Sequence, residues 1–445
     1  MGYLTGLECQ CFYTGGNRGV VRIWDVETRK EIAQSAASYT ENKETGGILD
    51  IMYLAGLISK LIGRYNSQKK TLLTVLLDQT LLYYKVEGGT LSLQERIFGQ
   101  HDEILDCTFV GPSDMHLAIA PNESEIRILD VRTSACEVIS GHRDTVLCLD
   151  KDASGQWLVS GAKDHEARLW KLDFSDEMHP TFSCFALLKG HTSAISAVAL
   201  PRNVVDTPSF IITGSDDRFV KCWDLATGRT TTPFTPRSLY TQKAHEKDIN
   251  AIDVSPDDKI FATASQDRTI KLFNVENGQP RATLKGHKRG VFSVKFSPKE
   301  GFLASGSFDN TIKLWSLRNF ECLMVLSLLF SESYLRKTFQ GHENPVYKVI
   351  FMSSGTQLVS ADNEGLVKIW TIKSGECEAT LDNHTERVWS IALNGAQNIL
   401  ASGGGDGVIT FWEDTTALVK EEQRVAVAER VEKYSHPSLL WRLNG

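Results

Sequence analysis

Residues 286–315 read GHKRGVFSVKFSPKEGFLASGSFDNTIKLW. Val291 to Phe296 alternate in character, the period-two pattern of a strand with one buried face. Ser297-Pro298 stop that strand, because proline brings no N–H to a ladder. Phe302 to Gly306 form a second, more buried run, and Asp309-Asn310 make a tight turn. Thr311 to Leu317 give a third strand, and a weaker fourth begins near Cys322.

The same frame recurs along the last three quarters of the chain. A histidine stands 28 residues before an aromatic in the pairs His142/Trp170, His245/Phe273, His287/Trp315, His342/Trp370 and His384/Trp412. His191/Trp223 stretches the spacing to 32, and His101/Leu129 keeps it with the aromatic lost. Units of this size cannot each bury an apolar face alone, so they must stack into one array. Four short strands per unit is the signature of propeller blades, hence an all-β fold.

Two further positions repeat. Ten residues before the aromatic stands a hydroxyl: Ser160, Thr213, Thr263, Ser305, Ser360 and Ser402. Six before it stands an acid: Asp164, Asp217, Asp267, Asp309, Glu364 and Asp406. With these residues the chain resembles the WD40 β-propellers. That resemblance implies a buried relay from indole N–H to hydroxyl to imidazole to carboxylate, which the donor and acceptor inventory permits. Complete sets are His142–Ser160–Asp164–Trp170, His191–Thr213–Asp217–Trp223, His287–Ser305–Asp309–Trp315 and His384–Ser402–Asp406–Trp412. Phe273 cannot donate to Thr263. Glu364 is one methylene too long and is expected to loosen its blade. Around His101, with Ile119, Glu123 and Leu129, no relay is expected.

A Ser–His–Asp set invites a catalytic reading, but a nucleophile must be singular and open to substrate. These sets recur once per repeat inside strands, so a structural relay is the reading taken, with no catalytic residue and no enzyme. The glycine clusters at 14–19 and 403–407 join strand to strand rather than strand to helix, so β-turns win over phosphate loops.

In 445 residues, 48 Lys+Arg against 55 Asp+Glu leave a net charge of −7, which does not mark a general polyanion binder. Nine cysteines, an odd number with no CxxC pair, read as reduced thiols of the cytosol or nucleus. Cys148 and Cys222 sit in apolar strand patterns as small buried hydrophobes. The first residues lack the regions of a signal peptide. Gly6 stands where a myristoylation site needs Ser or Thr. No apolar run reaches membrane-spanning length, so no membrane contact is expected. No cofactor, metal or small-molecule substrate is indicated.

Seven His-led repeats run from His101 to about Asp414. The last ends after its third strand, and Ser92–Phe98 is the candidate fourth strand that would close a seven-bladed ring over 92–414. Residues 1–91 read as about two blades of a second, incomplete propeller, too few to close and with exposed edges. The chain therefore reads as a fragment, splice form or incomplete gene model. The repeat after His287 is 55 residues where its neighbours are 42. Its surplus of 13, around Met324–Arg336, is unusually apolar for a loop. It reads as a retained intron, with a docking segment as the alternative. In 415–445, Thr416 to Lys433 carry apolar residues among charges without Gly or Pro, which predicts a helix opening a truncated helical domain.

Several stretches carry a closer likeness: Asp102–Phe109, Arg132–Gly141, His245–Val254, Ser265–Lys271, Gly286–Phe296 and Gly365–Cys377. They resemble the tandem-propeller transducin-beta-like subunits of the small-subunit processome. That resemblance implies two propellers, a helical C-terminal domain and residence in the nucleolus. It also implies association with the U-three small nucleolar RNA particle and support of pre-18S rRNA processing. Its partners would be other WD40 and helical processome subunits, with RNA contact indirect. The competing readings are a ubiquitin-ligase substrate receptor and a G-beta-like signalling scaffold.

Five residues after each repeat histidine, the innermost strand opens near the narrow face of the ring. Around the ring this position reads Asp106, Leu147, Ser196, Asn250, Phe292, Tyr347 and Trp389. Phe292, Tyr347 and Trp389 fall on consecutive blades, with Arg289 and Arg387 in the preceding turns. Aromatics with arginine are the composition of interface hot spots, so these five are the candidate partner-binding residues. Packing as core between blades is the alternative.

Overall fold

The computed structural model describes the backbone of eight strands within residues 2–97. It also describes residues 102–413, apart from 112, 134, 176–179, 204–205, 227–232, 300, 327–337 and 340. The predicted helix of Thr416–Lys433, and His101 with it, lie outside the described residues.

Seven antiparallel sheets follow one another from residue 104 to residue 413. We number them as blades 1 to 7, with innermost strands Ile104–Val110, Val146–Lys151, Ile195–Ala199, Ile249–Val254, Val291–Phe296, Val346–Met352 and Val388–Leu393. Each innermost strand packs beside the next, and that of blade 7 returns to that of blade 1, so the ring is closed. The core is divided into the seams between blades, where the second strand of one blade lies on the first strand of the next. Ile104, Cys107, Phe109, Leu117 and Ile119 of blade 1 pack with Ala392 and Ala401 of blade 7 at the closing seam. Glycine permits this approach at four of the seams, through Gly161, Gly214, Gly306 and Gly403. A Cβ on Gly306 would stand 2.8 Å from Val349, and one on Gly403 would stand 2.6 Å from Ile104.

The closure differs from the expected one. Ser92 to Ile97 belong to the strand Thr90–Ile97, which pairs with Leu81–Glu87 in a separate four-stranded sheet. Blade 7 has three strands among the described residues, ending with Ile409–Glu413. Among the described residues the ring therefore closes by seam packing, with no borrowed strand in blade 7. Among the described residues, four strands within 2–34 form one sheet and four within 48–97 another.

Blade 5 carries the surplus segment. Its fourth strand is Cys322–Leu326, with Leu326 opposite Ile312. After residues 327–337, Thr338–Phe339 add a fifth, parallel strand beside Val325 and Leu326.

Candidate protein-interaction face

The relay positions fall where the spacing put them. In blade 2 the Trp170 indole N–H donates to Ser160 Oγ (2.9 Å), Ser160 bonds His142 Nε2 (2.7 Å), and His142 Nδ1 bonds Asp164 (2.9 Å). Blades 3, 5 and 7 repeat this through His191–Thr213–Asp217–Trp223, His287–Ser305–Asp309–Trp315 and His384–Ser402–Asp406–Trp412. The carboxylate only accepts, so Nδ1 carries the proton. The indole fills a hydroxyl lone pair, so the hydroxyl proton points to Nε2.

Burial resists the charge of Asp164 and Asp217, yet the imidazole bond and two backbone N–H groups outweigh it and hold both near 2. Burial pushes the His287 and His342 imidazoles down, against the pull of Asp309 and Asp362. In blade 4 Phe273 stacks on Phe261 and gives Thr263 no hydrogen bond, as expected. There Thr269 adds a bond to His245 Nδ1 (3.3 Å).

Blade 6 corrects the sequence reading. Asp362, not Glu364, binds His342 Nδ1 (2.7 Å), and Ser360 and Trp370 complete the set. The other Asp362 oxygen accepts the N–H groups of Glu364 and Leu366. Both His342 and Asp362 side chains are fully buried, so this blade is not loosened. Asp362 stands where the other relay blades carry Ser, Ala or Gly, two residues after the relay hydroxyl. An acid eight residues before Trp370 was the signal.

Six of the seven mouth positions are β-bulges. The ladders of the first two strands skip Leu147, Ser196, Asn250, Phe292, Tyr347 and Trp389. A bulge leaves its residue unpaired and re-aims the side chain, here into a cavity of about 150 Å³ at the ring axis. In blade 1 the skipped residue is Leu105, not Asp106, because the first strand starts three residues after the repeat histidine where the others start four after.

Asp106 takes the next, deeper layer instead. It accepts from Leu149 N–H, Ser390 Oγ and Lys348 Nζ at 2.7–2.9 Å. This layer separates the mouth from a second cavity, of about 510 Å³, at the other end of the strands. Related bonds cross other seams. Asp253 accepts the Phe296 N–H, Ser293 the Val349 N–H, and Ser390 the Cys107 N–H. Arg202 bridges Asp150 and Asp253. Sequence reasoning missed this network because its residue types change from blade to blade.

Phe292, Tyr347 and Trp389 do come together, joined by Phe308. Ring centroids are 5.7 Å apart for Phe292–Phe308, 5.4 Å for Phe292–Tyr347 and 4.4 Å for Tyr347–Trp389. Tyr347 is buried at the centre, while Phe292, Phe308 and Trp389 are half-buried. The Arg289 guanidinium lies over Phe308 (5.9 Å) and that of Arg387 over Trp389 (5.3 Å). The Trp389 indole donates to Glu103 (3.0 Å) and Tyr347 to Asn363 (3.0 Å). The cluster is thus part core and part surface. Cys148 and Cys222 are buried, and burial pushes the Cys222 thiol up to about 12.

The family model for the WD domain, G-beta repeat matches residues 134–171, 182–224, 236–274, 278–316, 333–371 and 375–413, more than half of the chain. The chain belongs to the WD-repeat family. Among curated proteins, this WD-repeat chain is 36% identical to transducin beta-like protein 3 of Mus musculus over 269 residues, 59% of this chain and 31% of the relative. It is 34% identical to U3 small nucleolar RNA-associated protein 13 of Saccharomyces cerevisiae over 291 residues, 61% of this chain and 33% of the relative. A more distant match is mitochondrial division protein 1 of Saccharomyces cerevisiae, 24% identical over 218 residues, 42% of this chain and 29% of the relative. The chain spans about a third of the length of the first two relatives.

Proposed function

We propose that this chain is a non-catalytic scaffold of ribosome biogenesis, a subunit of the nucleolar small-subunit processome that supports pre-18S rRNA processing. Likeness to a protein named for association with U3 small nucleolar RNA carries this reading, together with likeness to transducin beta-like protein 3. In keeping with it, each described relay spends its hydroxyl, imidazole and carboxylate on one another, which leaves a stabilising role and no nucleophile. Phe292, Tyr347, Trp389, Arg289 and Arg387 are assigned to partner docking. Other WD40 and helical processome subunits are the proposed partners, with any RNA reached through them, in the nucleus and nucleolus. Affinity purification of the tagged chain with mass spectrometry of bound proteins tests the reading. Processome subunits should dominate. Recovery of a cullin adaptor or of G-gamma-type signalling subunits in their place would replace it.

A further inference from the structure

The docking cluster has a chemistry that selects its occupant. Its four rings run from blade 5 to blade 7 in edge-to-face and tilted contacts. An arginine stands at each end. Among the described residues neither Arg289 nor Arg387 has an ion pair, although ion pairs or hydrogen bonds hold the cations of the deeper axis, Arg202, Lys295 and Lys348. Each guanidinium is instead held over a ring, which fixes its position and leaves its N–H fork open. A fork of this kind matches a carboxylate.

Across the mouth, carboxylates gather instead: Asp216 stands near Asp248 and Asp217 on blades 3 and 4.

We propose that this cluster binds a short extended acidic peptide segment of a partner protein, with carboxylates at its two ends and a bulky apolar side chain between. The apolar side chain seats on Phe292, Phe308 and Trp389, and the carboxylates meet Arg289 and Arg387. The steps from Arg289 through Phe308, Tyr347 and Trp389 to Arg387 are 4.4–6.4 Å each, so at about 3.3 Å per residue the path suits at most about seven residues. Single-stranded RNA also uses rings and arginines, but it needs open ring faces for its bases to stack. Here every ring is engaged by at least two neighbours, and the face of Trp389 is covered by Arg387 and Tyr347. The peptide is favoured on that ground.

The inference rests on the reading that this face docks a protein, and the two can fail separately. Fluorescence anisotropy of the full chain would be measured with three labelled probes. They are a heptapeptide with glutamates at both ends around phenylalanine and leucine, its lysine-for-glutamate counterpart, and a uridine-rich oligoribonucleotide. The acidic peptide should bind, weaken as salt rises, and weaken at least tenfold with R289E/R387E, while the lysine peptide gains affinity for that variant. Arg289 is exposed and Arg387 half-buried, so thermal melting should change little; R289Q/R387Q serves if charge reversal disturbs the fold. No binding of the acidic peptide, binding indifferent to both variants, or tighter binding of the RNA through the same arginines would overturn the proposal. If the peptide fails but the triple alanine variant of Phe292, Tyr347 and Trp389 still loses processome partners on pull-down, only the acidic segment is wrong. If the peptide binds and the partners are retained, only the assignment of this face falls.

Discussion

Each relay histidine has both ring nitrogens committed, so removal of either partner orphans a buried polar atom. Asp309→Ala should cost about 1–3 kcal/mol, read as a lower urea midpoint. Unchanged melting would remove the buried relay from that blade. Asp362→Ala should cost as much, whereas Glu364→Ala should stay within about 0.5 kcal/mol; equal shifts would return His342 to Glu364. The relays also set the acid response. Burial depresses the His287 and His342 pKa below the unfolded value of about 6.5. As pH falls through that value the unfolded chain takes up protons first, so stability present above it declines toward pH 5. Asp164 and Asp217, held near 2 against 3.8, add stability that persists above the unfolded value and is lost as pH falls toward 2. Urea midpoints across this range should fall in two stages; a flat midpoint from pH 7 to 5 would contradict buried neutral imidazoles. Fixed spacing made five of the six relays readable. Asp362 stayed hidden because an acid already occupied the expected position, and spacing alone cannot say which carboxylate reaches a ring nitrogen.

At the scale of the strand, blade 5 holds two segments in phase for one place. In five other blades the residue three before the next repeat histidine faces the third strand three before its aromatic. Leu188 faces Ala167, Leu284 faces Ile270, and Leu381 faces Val367. By that rule Phe339 should face Ile312, but Leu326, thirteen residues earlier, stands there. Joining Leu323 to Lys337 removes thirteen residues and brings Phe339 into phase. Although Met324, Val325 and Leu326 pair in the fourth strand, the deletion should fold at least as well, because Lys337, Thr338 and Phe339 replace them. A clear fall in melting temperature or expression would show that the native segment contributes packing of its own. First, second and third strands were legible from alternation and turn residues. The closure was not: a run such as Ser92–Ile97 suits any outer-strand position, and its neighbour is chosen by tertiary contacts that periodicity does not encode.

At the scale of the ring, Asp106 joins three blades. It receives a backbone N–H from blade 2, Lys348 from blade 6 and Ser390 from blade 7. Asp106→Ala should cost roughly 2–4 kcal/mol, toward the low end for an ion pair because Lys348 keeps 26% of its side chain exposed. The double variant Asp106→Leu/Lys348→Met should recover much of that in urea titration; no recovery would mean the seam bonds matter more than the stranded charge. The closing seam also has a consequence in time. The Cys107–Ser390 bond spans 283 residues, while the Asp106–Leu149 bond spans 43. On loop-closure entropy alone the longer contact costs roughly 1.7 kcal/mol more, so it should be among the last to form. At about 5–20 residues per second, a ribosome needs roughly 15–60 s to make the intervening chain. Throughout that interval Ile104 and Phe109 of blade 1 wait uncovered for blade 7, an apolar edge that a chaperone would have to shield until the ring shuts.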